Sequence, residues 1–160
     1  MNKIELLPLQ SGYCEAVAEI ARESLPEHWS LESIRDVLRY DNNIFYVAYS
    51  TEDRRVAGFA GIMVIVDEAE LLNIAVHPGY RRRGIGKMLL EQMIQEAVRH
   101  GARRMLLEVR RSNHCAIELY NRYQFTAFSE RRNYYKDPVE DAIIMEKLLF
   151  CKAESSVGCK

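Results

Sequence analysis

The apolar residues Ile85, Met88, Leu89, Met93, Ala97 and Val98 fall on one stripe of a helix, which the spacing predicts from Ile85 to His100 with Gly101 as its C-terminal cap. Such a helix needs a second apolar layer to bury its stripe, and the chain supplies strands on both sides of it. "NIFYVAYS" (43 to 50), "RVAGFAGIMVIV" (55 to 66) and "AELLNIAV" (69 to 76) are β-branched and aromatic runs parted by polar turns. They read as a meander that ends at Pro78 and Gly79. After the helix, "RRMLLEV" (103 to 109) reads as a strand, "NHCAIELYNRY" (113 to 123) as a short helix, and "FTAFSERRNYY" and "EDAIIMEKLLF" as two closing strands. Upstream, Ile4 to Leu9 reads as a first strand, and Ser11 to Ser24 carries Tyr13, Val17, Ile20 and Ala21 at helical spacing. A second short helix is expected after Ser30, a good N-cap, to about Tyr40. The expected class is mixed α+β.

The chain has 160 residues with 48% hydrophobic content, which fits one domain over residues 1 to 150. "CKAESSVGCK" (151 to 160) is small and polar and is expected to be a flexible tail. Basic and acidic residues number 22 and 23, so the net charge of -1 provides no overall field for nucleic acid or a membrane surface. No stretch approaches the roughly 18 unbroken apolar residues of a membrane span, and "MNKIELLPLQ" lacks the apolar centre of a signal peptide. A cytoplasmic protein is expected. Cys14, Cys115, Cys151 and Cys159 have neither C-x-x-C spacing nor paired histidines beside them, so no metal site and no disulfide framework is indicated.

Between the third strand of the meander and the long helix lies "GYRRRGIGKMLLE", Gly79 to Glu91. Free N–H groups at a helix start, beside glycines that allow close approach, suit phosphate oxygens, and Arg81, Arg82, Arg83 and Lys87 add positive charge there. Two familiar phosphate loops are excluded. Leu89 stands where a dinucleotide fingerprint needs a third glycine, and Gly86-Lys87-Met88 lacks the Ser or Thr of a P-loop. On the loop alone, a basic surface turn with a glycine helix start is the alternative.

R-R-x-G-x-G at the head of a long helix, after a strand ending "NIAVHPGY", resembles the acetyl-CoA loop of the GNAT acetyltransferases. "LLNIAVHPGYRRRGIGKMLLE", "LEVRRSNHCAIELYNRYQF", "RRNYY" and "EDAIIM" together resemble the bacterial RimI group within that superfamily, over about residues 4 to 148. The resemblance implies the GNAT fold, about seven mostly antiparallel strands flanked by about four helices. It implies acetyl-CoA as co-substrate, no metal, and the N-terminal alanine of a small-subunit ribosomal protein as acceptor. It further implies that Ile74, Ala75 and Val76 offer backbone groups to the pantetheine arm, and that Arg82, Arg83, Gly84, Ile85, Gly86 and Lys87 hold the pyrophosphate. Asn113 matches a cofactor-contacting asparagine, Glu108 the general base and Tyr120 the general acid. His77 and Gly79 depart from residues that are often acidic in the group, and Cys115 from a small alanine.

The chemistry asks for these side chains on its own terms. An N-terminal ammonium, with a pKa near 8, must lose a proton before attacking a thioester, which suits a carboxylate. Glu108 interrupts the apolar run Met105 to Val109, where burial would raise its pKa; the alternative is a solvent-facing glutamate. A tyrosine hydroxyl can serve the departing thiolate, and Tyr120 can do so while its ring packs in the core beside Ala116 and Ile117. Asn113 fits equally as the N-cap of its helix. Tyr134 and Tyr135 could frame a slot for an extended peptide, with Glu140 and Asp141 facing its positive end, or could simply pack on a pleated surface. Acetylation of lysine side chains or a small amine, and a non-catalytic acetyl-CoA-binding module, are the competing functions. Retention of both Glu108 and Tyr120 speaks against the last.

Overall fold

Alternation of apolar and polar residues sets the strands, and a computed structural model, which describes residues 3–25 and 29–150, assembles them into one seven-stranded sheet. The strands are β1 (Ile4–Pro8), β2 (Asn43–Ser50), β3 (Arg55–Ile65), β4 (Glu68–Val76), β5 (Arg104–Arg110), β6 (Thr126–Lys136) and β7 (Val139–Leu148). Their order across the sheet is β1-β2-β3-β4-β5-β7-β6. Every neighbouring pair is antiparallel except β4 and β5, which run parallel because a long helix connects them.

The four helices are α1 (Cys14–Ser24), α2 (Leu31–Val37), α3 (Ile85–Arg99) and α4 (His114–Arg122). Ser11–Tyr13 forms a 3-10 turn ahead of α1, within the helix expected from Ser11. The expectation for the second helix overran: the structure ends α2 at Val37, and residues 38 to 42 turn into β2. Ser30 does cap it, its Oγ accepting from the Ser33 N–H at 3.1 Å. Residues 151–160, the expected tail, lie outside the described residues. Among those described, no helix is long and apolar enough to cross a membrane.

The helices cover the two faces of the sheet unequally. The α3 stripe, with Ile85, Leu89, Leu90, Met93 and Ala97 buried, packs on Ile62, Leu71, Met105 and Leu107, joined by Tyr120 of α4 and Phe125. On the opposite face, Val17, Ile20, Ala21, Ile34 and Val37 from α1 and α2 cover Phe45, Val47 and Phe59. Each fully buried Leu, Ile, Met or Phe stabilises the fold by roughly 1.5–3 kcal/mol. The sheet therefore lies between two layers of helices.

Gly58 fixes how closely α3 approaches this sheet. A Cβ there would lie 2.8 Å from the Ala75 carbonyl oxygen, 3.3 Å from Leu89 Cδ1 and 3.4 Å from Ile85 Cγ2. The carbonyl belongs to the paired strand β4 and cannot retreat without disturbing that pairing. We expect Gly58→Ala to destabilise the protein by about 1–3 kcal/mol, read as a lower urea midpoint. An unchanged midpoint would show that α3 adjusts freely.

Candidate active site

Parallel pairing between β4 and β5 lasts four residues, from Glu68↔Arg104 to Leu71↔Leu107. The strands then part for a local reason. Ile62 faces Leu71 and Gly61 faces Asn73, so β4 carries one extra residue, Leu72, opposite β3. A bulge of this kind bends the strand that carries it. β5 meanwhile keeps its pairing with β7 out to Arg110↔Ala142. One strand turns away while the other is held, and a cleft of about 570 Å³ opens between them. Its walls are residues 70 to 74 of β4, 108 to 110 of β5, Ser112, Asn113, Tyr120 of α4, Tyr134 and Tyr135 of β6, and Ser24, Leu25 and Trp29 from the α1–α2 segment.

Of the residues singled out from the sequence, Ile74, Glu108, Asn113, Tyr120, Tyr134 and Tyr135 meet in this cleft. Glu108 sits on the face of β5 opposite the buried Leu107 and Val109, and its Oε1 lies 3.3 Å from Arg131 Nη1. The Tyr134 hydroxyl donates to it as well, and the Glu108 charge helps to push that phenol upward. Tyr120 is 5% exposed, its ring 5.9 Å from Phe125, and burial pushes its phenol strongly upward, so the hydroxyl stays protonated at neutral pH. No protein group among the described residues hydrogen-bonds that hydroxyl, which leaves it as a donor for something in the cleft. Asn113 is the N-cap of α4, its Oδ1 accepting from the Ala116 N–H at 3.2 Å, and the residue also lines the cleft.

Tyr134 and Tyr135 stack edge to face at 5.1 Å, with the Arg131 guanidinium over the first ring and Arg110 4.1 Å above the second. Glu140 and Asp141 are not brought to the cleft. Glu140 accepts from the N–H and hydroxyl of Ser112, whose hydrogen bonds hold its carboxyl below the ordinary range, while Asp141 accepts from the Asn133 N–H at 2.9 Å and faces Arg111. His77 also lies away from it, its Nδ1 accepting from the Gly79 N–H at 3.0 Å.

The other end of the fork is the arginine-glycine loop. Arg82 and Gly84 both adopt left-handed backbone, φ 64° and 79°, and the first intrahelical N–H of α3 is that of Met88, bonded to the Gly84 carbonyl at 3.1 Å. The amides of Ile85, Gly86 and Lys87 thus precede any helical acceptor and form, with the curled loop, a concave set of donors. A Cβ on Gly86 would be 3.9 Å from both Val76 Cγ2 and Leu119 Cδ2, so the end of β4, the start of α3 and α4 converge around that glycine. This arrangement fits a diphosphate at the helix start with a chain running along β4 into the cleft. The Val76 carbonyl also accepts from Arg81 Nε at 3.4 Å, and the edge of β4 beyond Leu71 has no strand partner on the β5 side.

Sequence reasoning passed over Glu70, although it interrupts the apolar run of β4 as Glu108 interrupts that of β5. Desolvation at the cleft wall raises its carboxyl above the ordinary range, the Glu108 charge adds to this, and Arg131 works against it. Carbon-detected NMR titration should therefore move the Glu70 midpoint down in Glu108→Gln and up in Arg131→Ala. A Glu70 midpoint that neither substitution moves would mean the two carboxylates do not share one field.

The chain matches the model of the Acetyltransferase (GNAT) family over residues 14–125. It is 39% identical over 139 residues to the [ribosomal protein bS18]-alanine N-acetyltransferase of Salmonella typhimurium, covering 81% of this chain and 94% of that one. It is 36% identical over 129 residues to the putative enzyme of the same name from Bacillus subtilis, covering 81% and 85%. The crystal structure of the ribosomal-protein-S18-alanine N-acetyltransferase from Escherichia coli superposes with a TM-score of 0.85 at 33% identity, over 98% of this chain and all of that one. The sheet with its single parallel fork, the donor-rich helix start and these relatives agree: the chain belongs to the GNAT acetyltransferase family, on the RimI branch that its relatives represent.

Proposed function

We propose that the chain acetylates the free amino terminus of a protein from acetyl-CoA, and that its acceptor is the N-terminal alanine of ribosomal protein bS18. The observation that carries this reading is the convergence of Glu108 and Tyr120 on one cleft at the fork, with the donor-rich loop at its far end. The substrate assignment follows the names of the relatives that match most of the chain.

The loop from Arg82 to Lys87 holds the pyrophosphate through its amides and basic side chains, and Ile74, Ala75 and Val76 line the pantetheine arm, with Asn113 beside it. Bound acetyl-CoA supplies an acetyl thioester. Glu108 receives the proton of the acceptor ammonium, directly or through water, and Arg131 and Tyr134 hold its carboxylate in place for that. The freed amine attacks the carbonyl carbon directly, with no covalent enzyme intermediate. Tyr120 gives a hydrogen bond or a proton to the departing sulfur, which its buried, protonated phenol is suited to do. Tyr134 and Tyr135 wall the acceptor side, leaving room for a small first residue.

Mass spectrometry on a panel of short peptides tests this. Peptides beginning with alanine should be acetylated at the amino terminus, serine more slowly by up to roughly 10²-fold, and leucine or phenylalanine poorly. Glu108→Gln and Tyr120→Phe should each lower turnover by roughly 10²-fold or more with acetyl-CoA affinity near wild type. Equal acetylation of an N-terminally blocked lysine peptide would replace this acceptor with a lysine side chain. Binding of acetyl-CoA without transfer to any amine would make the chain a non-catalytic module.

A further inference from the structure

The acceptor reaches the cleft as a cation, because an amino terminus with a pKa near 8 is about nine-tenths protonated at pH 7. Moving that ammonium out of water needs a negative partner at the entrance. The sequence offered Glu140 and Asp141, but these are bound to Ser112 and Arg110, and to Asn133 and Arg111. Glu108 already faces Arg131 at 3.3 Å and accepts from Tyr134.

Glu70 is the carboxylate left over. It is in register with Leu106 on β5, two residues before Glu108, at the last stretch where the strands still pair. Its neighbours Ala69 and Leu71 are buried beneath α3, so Glu70 points to the same sheet face as Glu108 and lines the same cleft. No hydrogen bond or ion pair to another described side chain engages its carboxylate. The charged and titratable groups around it are Glu108 on β5, Arg131 and Tyr134 on β6, and Glu68 on its own strand. Glu68 shares Arg104, at 3.6 Å, with Glu146, which lies closer at 2.7 Å; Arg110 faces Glu140, and Arg131 is shared by the two cleft glutamates, so negative charge outweighs positive at this wall of the cleft.

We propose that Glu70 receives the acceptor ammonium at the mouth of the cleft and holds it beside Glu108 before the proton is removed. Glu70 thereby sets the affinity for the acceptor amine, and Glu108 and Tyr120 set the rate of transfer. Desolvation and the Glu108 charge both disfavour the Glu70 carboxylate, and an arriving cation offsets both by pairing with it.

This role rests on the cleft being the amine site of the proposed reaction, and steady-state kinetics with an alanine-first peptide and saturating acetyl-CoA separates the two claims. Glu70→Gln should raise KM for the peptide about tenfold or more while kcat stays within about threefold, as expected for loss of one charge-assisted contact made before the transition state. Acetyl-CoA Kd, measured by calorimetry, should be unchanged and shows that the variant is folded. Glu70→Asp should recover part of the lost affinity. In wild type, KM should rise as pH falls through the Glu70 titration, and this rise should be absent in Glu70→Gln. An unchanged KM in Glu70→Gln, or a fall in kcat at constant KM, overturns the proposal. Should wild type acetylate a lysine side chain instead of an amino terminus, the acceptor assignment fails, and the same KM comparison on that ammonium still decides the role of Glu70.

Discussion

The site depends on one interruption: the parallel pairing of β4 with β5 stops at Leu71 and Leu107. A parallel ladder normally buries its strands on both faces and leaves no room beside the backbone. Here the extra residue Leu72 bends β4 while β7 holds β5, and the hydrogen-bonding edge of β4 is released just where the sheet is covered by helices. The released edge lies beside the start of α3, whose own first amides are unsatisfied by the helix. Gly58 permits α3 to sit close against β3 beside the Ala75 carbonyl, and Gly86 lies where α3 meets Val76 and Leu119. Packing and site construction are therefore carried by the same few residues.

Charge in the cleft is shared unevenly, with Arg131 set between Glu108 and Glu70. Arg131 and Tyr134 both come from β6, the edge strand, where pairing with β7 is irregular between Arg131 and Tyr135. That irregularity turns the two side chains toward Glu108 instead of continuing the alternation of a regular strand. Arg110 lies over the Tyr135 ring, and the Ser112 bonds to Glu140 tie the loop after β5 to the closing hairpin. The wall carrying Tyr134 and Tyr135 is thus braced by contacts among β5, β6 and β7, while the arginine-glycine loop at the other end is braced by α3.

Much of this was legible in the sequence because it is local. The α3 stripe, the Ser30 cap, the seven strands and the arginine-glycine loop are written in spacings of two to four residues, and the structure places them within a residue or two, except for the C-terminal end of α2. The fork was not legible. It arises from the pairing of β4 with two different neighbours, and no periodicity within "AELLNIAV" records the slip at Leu72. For the same reason Glu70 passed as part of a strand. Glu140 and Asp141 were expected to face the positive end of a peptide, and their hydrogen-bond partners could not be foreseen because Ser112 and Asn133 lie 28 and 8 residues away. Glu108, Tyr120 and Asn113 could be named early because a motif fixes their order, whereas their partners Arg131, Tyr134 and Phe125 emerge only from the packing.

The central claim is that the released edge of β4 and the first turn of α3 form one continuous binding surface for acetyl-CoA. Hydrogen exchange with and without acetyl-CoA measures it directly. Added acetyl-CoA should slow exchange at amides within residues 72–76 and 84–87 together, since binding to the folded state protects the groups it contacts. Protection confined to another part of the fold, or slowing at the loop with none along β4, would contradict the account.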